Sequence, residues 1–60
     1  MIEKSEQALS MAGDLKKLVD EMIAQTSNLD LKRLLKQIDA DLMDIKHKLS
    51  VAVKLSGGRV

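Results

Sequence analysis

Two heptad repeats, separated by one short break, organise the apolar residues of this chain and hold about half of them. In the first, Ala8, Ala12, Leu15, Val19, Met22, Thr26 and Leu29 alternate at spacings of four and three residues. In the second, Leu31, Leu35, Ile38, Leu42, Ile45, Leu49 and Ala52 do the same. A mean spacing of about 3.5 residues keeps one stripe of an α-helix facing a neighbouring helix, so the pattern predicts an all-α helical hairpin packed by coiled-coil rules.

The local signals place its parts. With no proline and mostly Ala, Leu, Lys, Glu and Met, the first helix is expected over about residues 3–26, weakened only at Gly13. Ser27-Asn28-Leu29-Asp30 reads as a turn and a capping box with Ser27 as the cap, and Asn28 is the competing cap. The second helix is expected over about 30–55, and Ser56-Gly57-Gly58 ends it through a left-handed glycine. Arg59 and Val60 then form a frayed end, and residues 1–60 make a single domain. Two helices of similar length and a short turn force antiparallel neighbours.

A lone hairpin of this size buries too little surface to offset the conformational entropy of its residues. With no cysteine, neither a disulfide nor a thiolate metal site can help, and nothing points to an oxidising compartment. With no aromatic residue either, the interior must be filled by Leu, Ile, Val and four Met. Self-association remains. Setting Leu15 and Met22 at heptad position d puts Ala12 and Val19 at a, Leu9 and Ile23 at e, and Met11 and Leu18 at g. In the second helix Leu42 falls at a and Ile45 at d, with Leu34 flanking the seam. Stripes this wide suit a helix packed against two neighbours, so a homodimer of hairpins forming a four-helix bundle is expected. Its core would comprise Ala8, Ala12, Leu15, Leu18, Val19, Met22 and Ile23 from the first helix. Leu31, Leu34, Leu35, Ile38, Leu42, Ile45, Leu49 and Ala52 would complete it from the second.

Val51, Val53 and Leu55 spread apolar surface around the last turns, which reads either as packing at the bundle end or as a patch for an unidentified protein partner. Lys32, Arg33 and Lys36 sit where the helix dipole disfavours cations, with Asp20, Glu21, Asp39 and Asp41 placed to compensate. They form either a solvated face or a small basic site at the loop end.

A formal net charge of +1 gives no single-sign field to steer the chain onto nucleic acid or an anionic membrane. The start, Met1 to Glu6, lacks the pattern of a signal peptide, and no apolar run approaches a membrane span, so no membrane partner is expected and the default location is the cytoplasm. Asp44 and His47 have the spacing of half a carboxylate-bridged metal site, but their c and f positions turn them to solvent. The hydroxyls have no histidine nearby, and Gly57-Gly58 precedes no helix, so no catalytic residue, metal or cofactor is expected. The residues therefore point to a non-enzymatic interaction or regulatory protein.

The segment Ala8-Leu9-Ser10-Met11-Ala12, the Leu29-Asp30 turn and the chain length resemble the repressor-of-primer (Rop) family of plasmid copy-number regulators. The resemblance implies a dimer of hairpins and, in that family, binding of paired RNA loops through the first helix. At the matching positions this chain carries Ser10, Asp14 in place of a phenylalanine, Leu18 in place of a glutamine and Gln25 in place of a lysine, with Lys4 near the first lysine. The implied architecture therefore carries over more readily than RNA binding, and the mixed charges of Lys16, Lys17, Asp14, Asp20 and Glu21 disfavour RNA independently. In length and organisation the chain is also similar to small helical-hairpin co-chaperones of bacterial secretion systems, or to a subunit of a larger helical assembly.

Overall fold

Helix α1 runs from Ile2 to Gln25 and helix α2 from Leu29 to Ser56 in the computed structural model, which describes residues 1–57. The two pack along their lengths as an antiparallel hairpin, within a Cα envelope of 46 × 14 × 11 Å. The boundaries fall within a residue or so of those expected from composition and caps.

The turn is built by side chains that compete with the helix for backbone groups. Thr26 leaves the helical region at φ −84° and ψ 141°, while its N–H still donates to the Met22 carbonyl at 3.0 Å. Its hydroxyl oxygen then accepts from the Asn28 N–H at 3.1 Å, which draws the chain round. Asn28, not Ser27, caps α2, because its Oδ1 accepts the Leu31 N–H at 3.0 Å. The capping box expected from Ser27 and Asp30 therefore does not form. Asp30 nonetheless remains in the first turn, where a carboxylate favours the dipole.

The other end also differs from expectation. Gly57 closes α2 at φ −65°, a right-handed conformation, with its N–H donating to Val53 O at 2.9 Å. The left-handed glycine is thus not Gly57; Gly58 and the frayed end assigned to Arg59 and Val60 lie outside the described residues. Here Ile2 reaches over to Gly57, and a Cβ on that glycine would stand 3.4 Å from the Ile2 side chain. Ser5 meets Ser56 at 2.9 Å between hydroxyl oxygens, which fixes the register of the two helices at the open end.

The core is small. Ala12, Val19, Leu35 and Leu42 are its buried residues, and Ile23 packs against the cluster formed by Val19, Leu35 and Leu42. All four occupy heptad position a. Their neighbours in the seam come from position e rather than d: Leu9, Lys16, Ile23, Lys32, Asp39, Lys46 and Val53 are half-buried. The two helices thus meet through their a and e residues, and the d residues Leu15, Met22, Leu31, Ile38 and Ile45 remain exposed. The a and d seam read from the sequence holds for a and fails for most of d within one chain. Ala8, Leu49 and Ala52 are half-buried towards the open end, where the helices carry small side chains.

Candidate functional site: an open apolar face

Rotating the seam from a/d to a/e has a direct geometric consequence. In two antiparallel right-handed helices that share an a/e seam, the d and g residues of both emerge on the same side of the hairpin. That side carries Met11, Leu15, Leu18 and Met22 from α1 and Leu31, Leu34, Ile38 and Ile45 from α2, all of them exposed. Leu15 retains 50% of its surface, Leu18 57% and Leu34 54%, although the heptad pattern marks them for burial. A continuous ribbon of aliphatic side chains along both helices is far more than the scattered apolar residues ordinary for a surface.

Opposite it, the e and b residues form a charged face. Lys16 donates to Asp20 Oδ2 at 2.9 Å on its own helix and lies 3.2 Å from Asp39 Oδ1 on α2. The second approach lacks hydrogen-bond geometry, so the buried Asp39 Oδ1 keeps the charge contact without a hydrogen bond. The hydrogen bond to Asp20, reinforced by Asp39, raises the Lys16 pKa above its ordinary value. The hydrogen bond from the Lys16 ammonium holds the Asp20 carboxyl below the ordinary carboxylate value, with Lys46 adding a weaker attraction. The sequence set Asp39 beside the cations of α2 and Lys16 in a surface of mixed charge, without pairing the two. The signal was their e position, with Lys16 between Leu9 and Ile23 and Asp39 between Lys32 and Lys46.

The compensation expected for the cations at the start of α2 does not occur as drawn. Asp20 and Asp39 engage Lys16, and among the described residues no ion pair forms to Lys32, Arg33 or Lys36. Asp44 pairs with Lys48 at 3.2 Å along α2, both well exposed, and His47 is exposed beside them. Among the described residues no group of three or more His, Cys, Asp or Glu side chains could hold a metal, no pocket opens, and no helix is long and apolar enough to cross a membrane.

The three residues of the suggested partner patch separate. Val53 turns half-buried into the hairpin's own seam, whereas Val51 at c and Leu55 at g stay exposed, Leu55 on the side of the apolar face. The positions matched to the RNA face of the Rop family, Lys4, Ser10, Asp14, Leu18 and Gln25, are all exposed on α1, and Leu18 belongs to the apolar ribbon. Comparison with protein-family models, with curated proteins and with solved structures finds no match to this chain.

Proposed function

We propose that the protein is a non-catalytic interaction or regulatory module that works as a homodimeric four-helix bundle, presenting its outer helix faces to a protein partner. The observation that carries this reading is the exposed d/g ribbon. Four buried residues make a core too thin to hold 57 ordered residues by themselves, and the missing burial sits ready on one face. A second hairpin laid on that ribbon turns Leu15, Met22, Ile38 and Ile45 into core residues and leaves the b, c and f positions for recognition. A non-catalytic role is supported by the absence of cysteine and by a single histidine that stands exposed on the outer surface of α2.

The alternative is an RNA-binding regulator of the Rop kind, supported by the hairpin and by the Ala8 to Ala12 segment. One measurement tests the bundle that both readings share, and a second decides between them. Light scattering with refractive-index detection should give twice the 6.6 kDa chain mass, about 13 kDa, at micromolar concentration, and a stable 6.6 kDa species would end the bundle reading. A gel-shift titration with structured RNA at low salt should show no retention, and retention would move the assignment to the alternative.

A further inference from the structure

The charges around the hairpin are sorted by face, and the sorting bears on what the ribbon binds. Around each helix the heptad positions follow one another in the order a, e, b, f, c, g, d. A seam at a and e therefore leaves d and g on one side, b and f on the other, and c along the two outer edges. The stretch next to the turn, residues 11–25 of α1 and 29–45 of α2, holds the aliphatic ribbon. At its c, d and g positions it carries five carboxylates, Asp14, Glu21, Asp30, Asp41 and Asp44, and no lysine or arginine. At e, b and f it carries five cations, Lys16, Lys17, Lys32, Arg33 and Lys36, against only Asp20 and Asp39. All five carboxylates beside the ribbon are exposed, and among the described residues only Asp44 has an ion-pair partner, Lys48. Lys48 and Lys4, both at g, lie farther from the turn, so the uninterrupted acidic edges end where the ribbon does.

An aliphatic ribbon edged by carboxylates selects its neighbours. An anionic bilayer requires Lys or Arg beside the apolar face, but here the cations stand on the opposite side and carboxylates would meet the headgroups. The same field repels a nucleic-acid backbone from this face. A second copy matches the ribbon in apolar area, yet it sets acidic edges against acidic edges. Asp14 and Glu21 line α1 while Asp30 and Asp44 line α2, so either helix of that copy brings the same sign.

A helix whose aliphatic stripe runs between flanks of Lys and Arg satisfies both the area and the charge. Its long basic side chains extend from a stripe seated on d and g towards the c edges, where a Debye length of about 8 Å leaves the attraction only partly screened. From Leu31 to Ile45 the ribbon runs about 21 Å at 1.5 Å per residue, room for roughly four turns of such a helix.

Building on the interaction-module reading above but not on dimerisation, we propose that the ribbon docks a basic amphipathic helix of a partner protein, with Lys or Arg along both flanks of an aliphatic stripe. That helix displaces a second copy where one is bound. The probes are synthetic peptides of about 18 residues carrying a dye, read by fluorescence anisotropy with the full-length chain. Two share one Leu and Ile stripe and differ in having lysine or glutamate flanks, and a third is the lysine peptide scrambled to break its stripe. The wild type should bind the lysine peptide on the order of tenfold more tightly than the glutamate peptide, with the preference shrinking as salt rises, and should not bind the scrambled one. Asp14→Asn, Glu21→Gln and Asp41→Asn combined should raise the Kd for the lysine peptide on the order of tenfold while helical circular dichroism stays unchanged. Glu6→Gln, on the opposite face, should leave that Kd within about twofold. Equal affinity for the lysine and glutamate peptides, equal binding of the scrambled peptide, or no effect of the triple variant would overturn the proposal. Binding of phosphatidylglycerol vesicles in place of the lysine peptide would overturn it in favour of a lipid surface. A wild type of about 13 kDa that binds neither striped peptide would overturn it and leave the dimer standing. A 6.6 kDa wild type that binds the lysine peptide would support it and end the dimer.

Discussion

Lys16 of α1 stands 3.2 Å from Asp39 of α2 while donating at 2.9 Å to Asp20 one turn further along its own helix. One ammonium thus joins the two helices in the middle of the seam, between Ala12 and Val19. A charge layer at this depth adds little net stability, since desolvation offsets much of the attraction, but a slipped register would strand a buried carboxylate oxygen. Lys16→Met should therefore lower the unfolding temperature by leaving Asp39 uncompensated. Lys16→Met combined with Asp39→Leu should recover the loss, read by circular dichroism at fixed protomer concentration.

The same cluster sets a pH dependence with a definite sign. Asp20 is depressed below the ordinary carboxylate value of 3.8 by its hydrogen bond from Lys16, so its contribution is present above that value and is lost as pH falls through the lower folded-state pKa. Lys16 is raised above 10.5 by Asp20 and Asp39, so its contribution is complete below 10.5 and is lost as pH rises through the folded-state pKa. The gap in unfolding temperature between wild type and Lys16→Met should be widest near neutrality and narrow at both extremes. A gap unchanged at both ends would mean that the cluster does not titrate as drawn.

Gly13 lies inside α1, and beyond its own chain neighbours and the helix backbone around it nothing stands within 4 Å of where a Cβ would be. Gly13→Ala should stabilise the protein by about 0.5–1 kcal/mol per chain, because alanine removes backbone freedom from the unfolded chain and meets nothing in the folded one. Denaturant titration should move the midpoint upward without changing the slope.

The start of α2 depends on one amide. Asn28→Ala removes the acceptor for the Leu31 N–H and should cost about 1 kcal/mol, whereas Ser27→Ala should be close to neutral. Equal losses from the two substitutions would restore Ser27 as the cap.

Leu42 and His47 test the assignment of faces. Leu42, 5% exposed, belongs to the central cluster, and Leu42→Asp should abolish the helical signal by placing an unpaired carboxylate there. His47 is exposed at position f, and His47→Ala should leave stability within about 0.5 kcal/mol of wild type. Comparable damage from both would mean that the helix faces are misassigned.

Much of this arrangement was legible in the residues. The unbroken run of strong helix formers, the Asn28 cap candidate, the short turn and the a positions Ala12, Val19, Leu35 and Leu42 all follow from propensity and periodicity, which act within a few turns of chain. The choice between Ser27 and Asn28 was not legible, because it depends on the Thr26 hydroxyl capturing the Asn28 N–H and drawing the turn tight. Neither was the role of Lys16, whose long aliphatic stem lets it enter the seam while its ammonium reaches two carboxylates.

The sequence by itself determined that there are two helices, that they turn back on each other, and that the a and d stripes are flanked by apolar residues, at e and g in α1 and at g (Leu34) in α2. Only the tertiary structure decided which side of each stripe belongs to the chain's own partner helix. A heptad pattern is unchanged whether the hairpin folds to the d side or the e side of a, and the contact of Lys16 with Asp39, e against e, places the other helix on the e side. That selection leaves Leu15, Met22, Ile38 and Ile45 facing outward together, and so turns a broad stripe in the sequence into a single exposed apolar face.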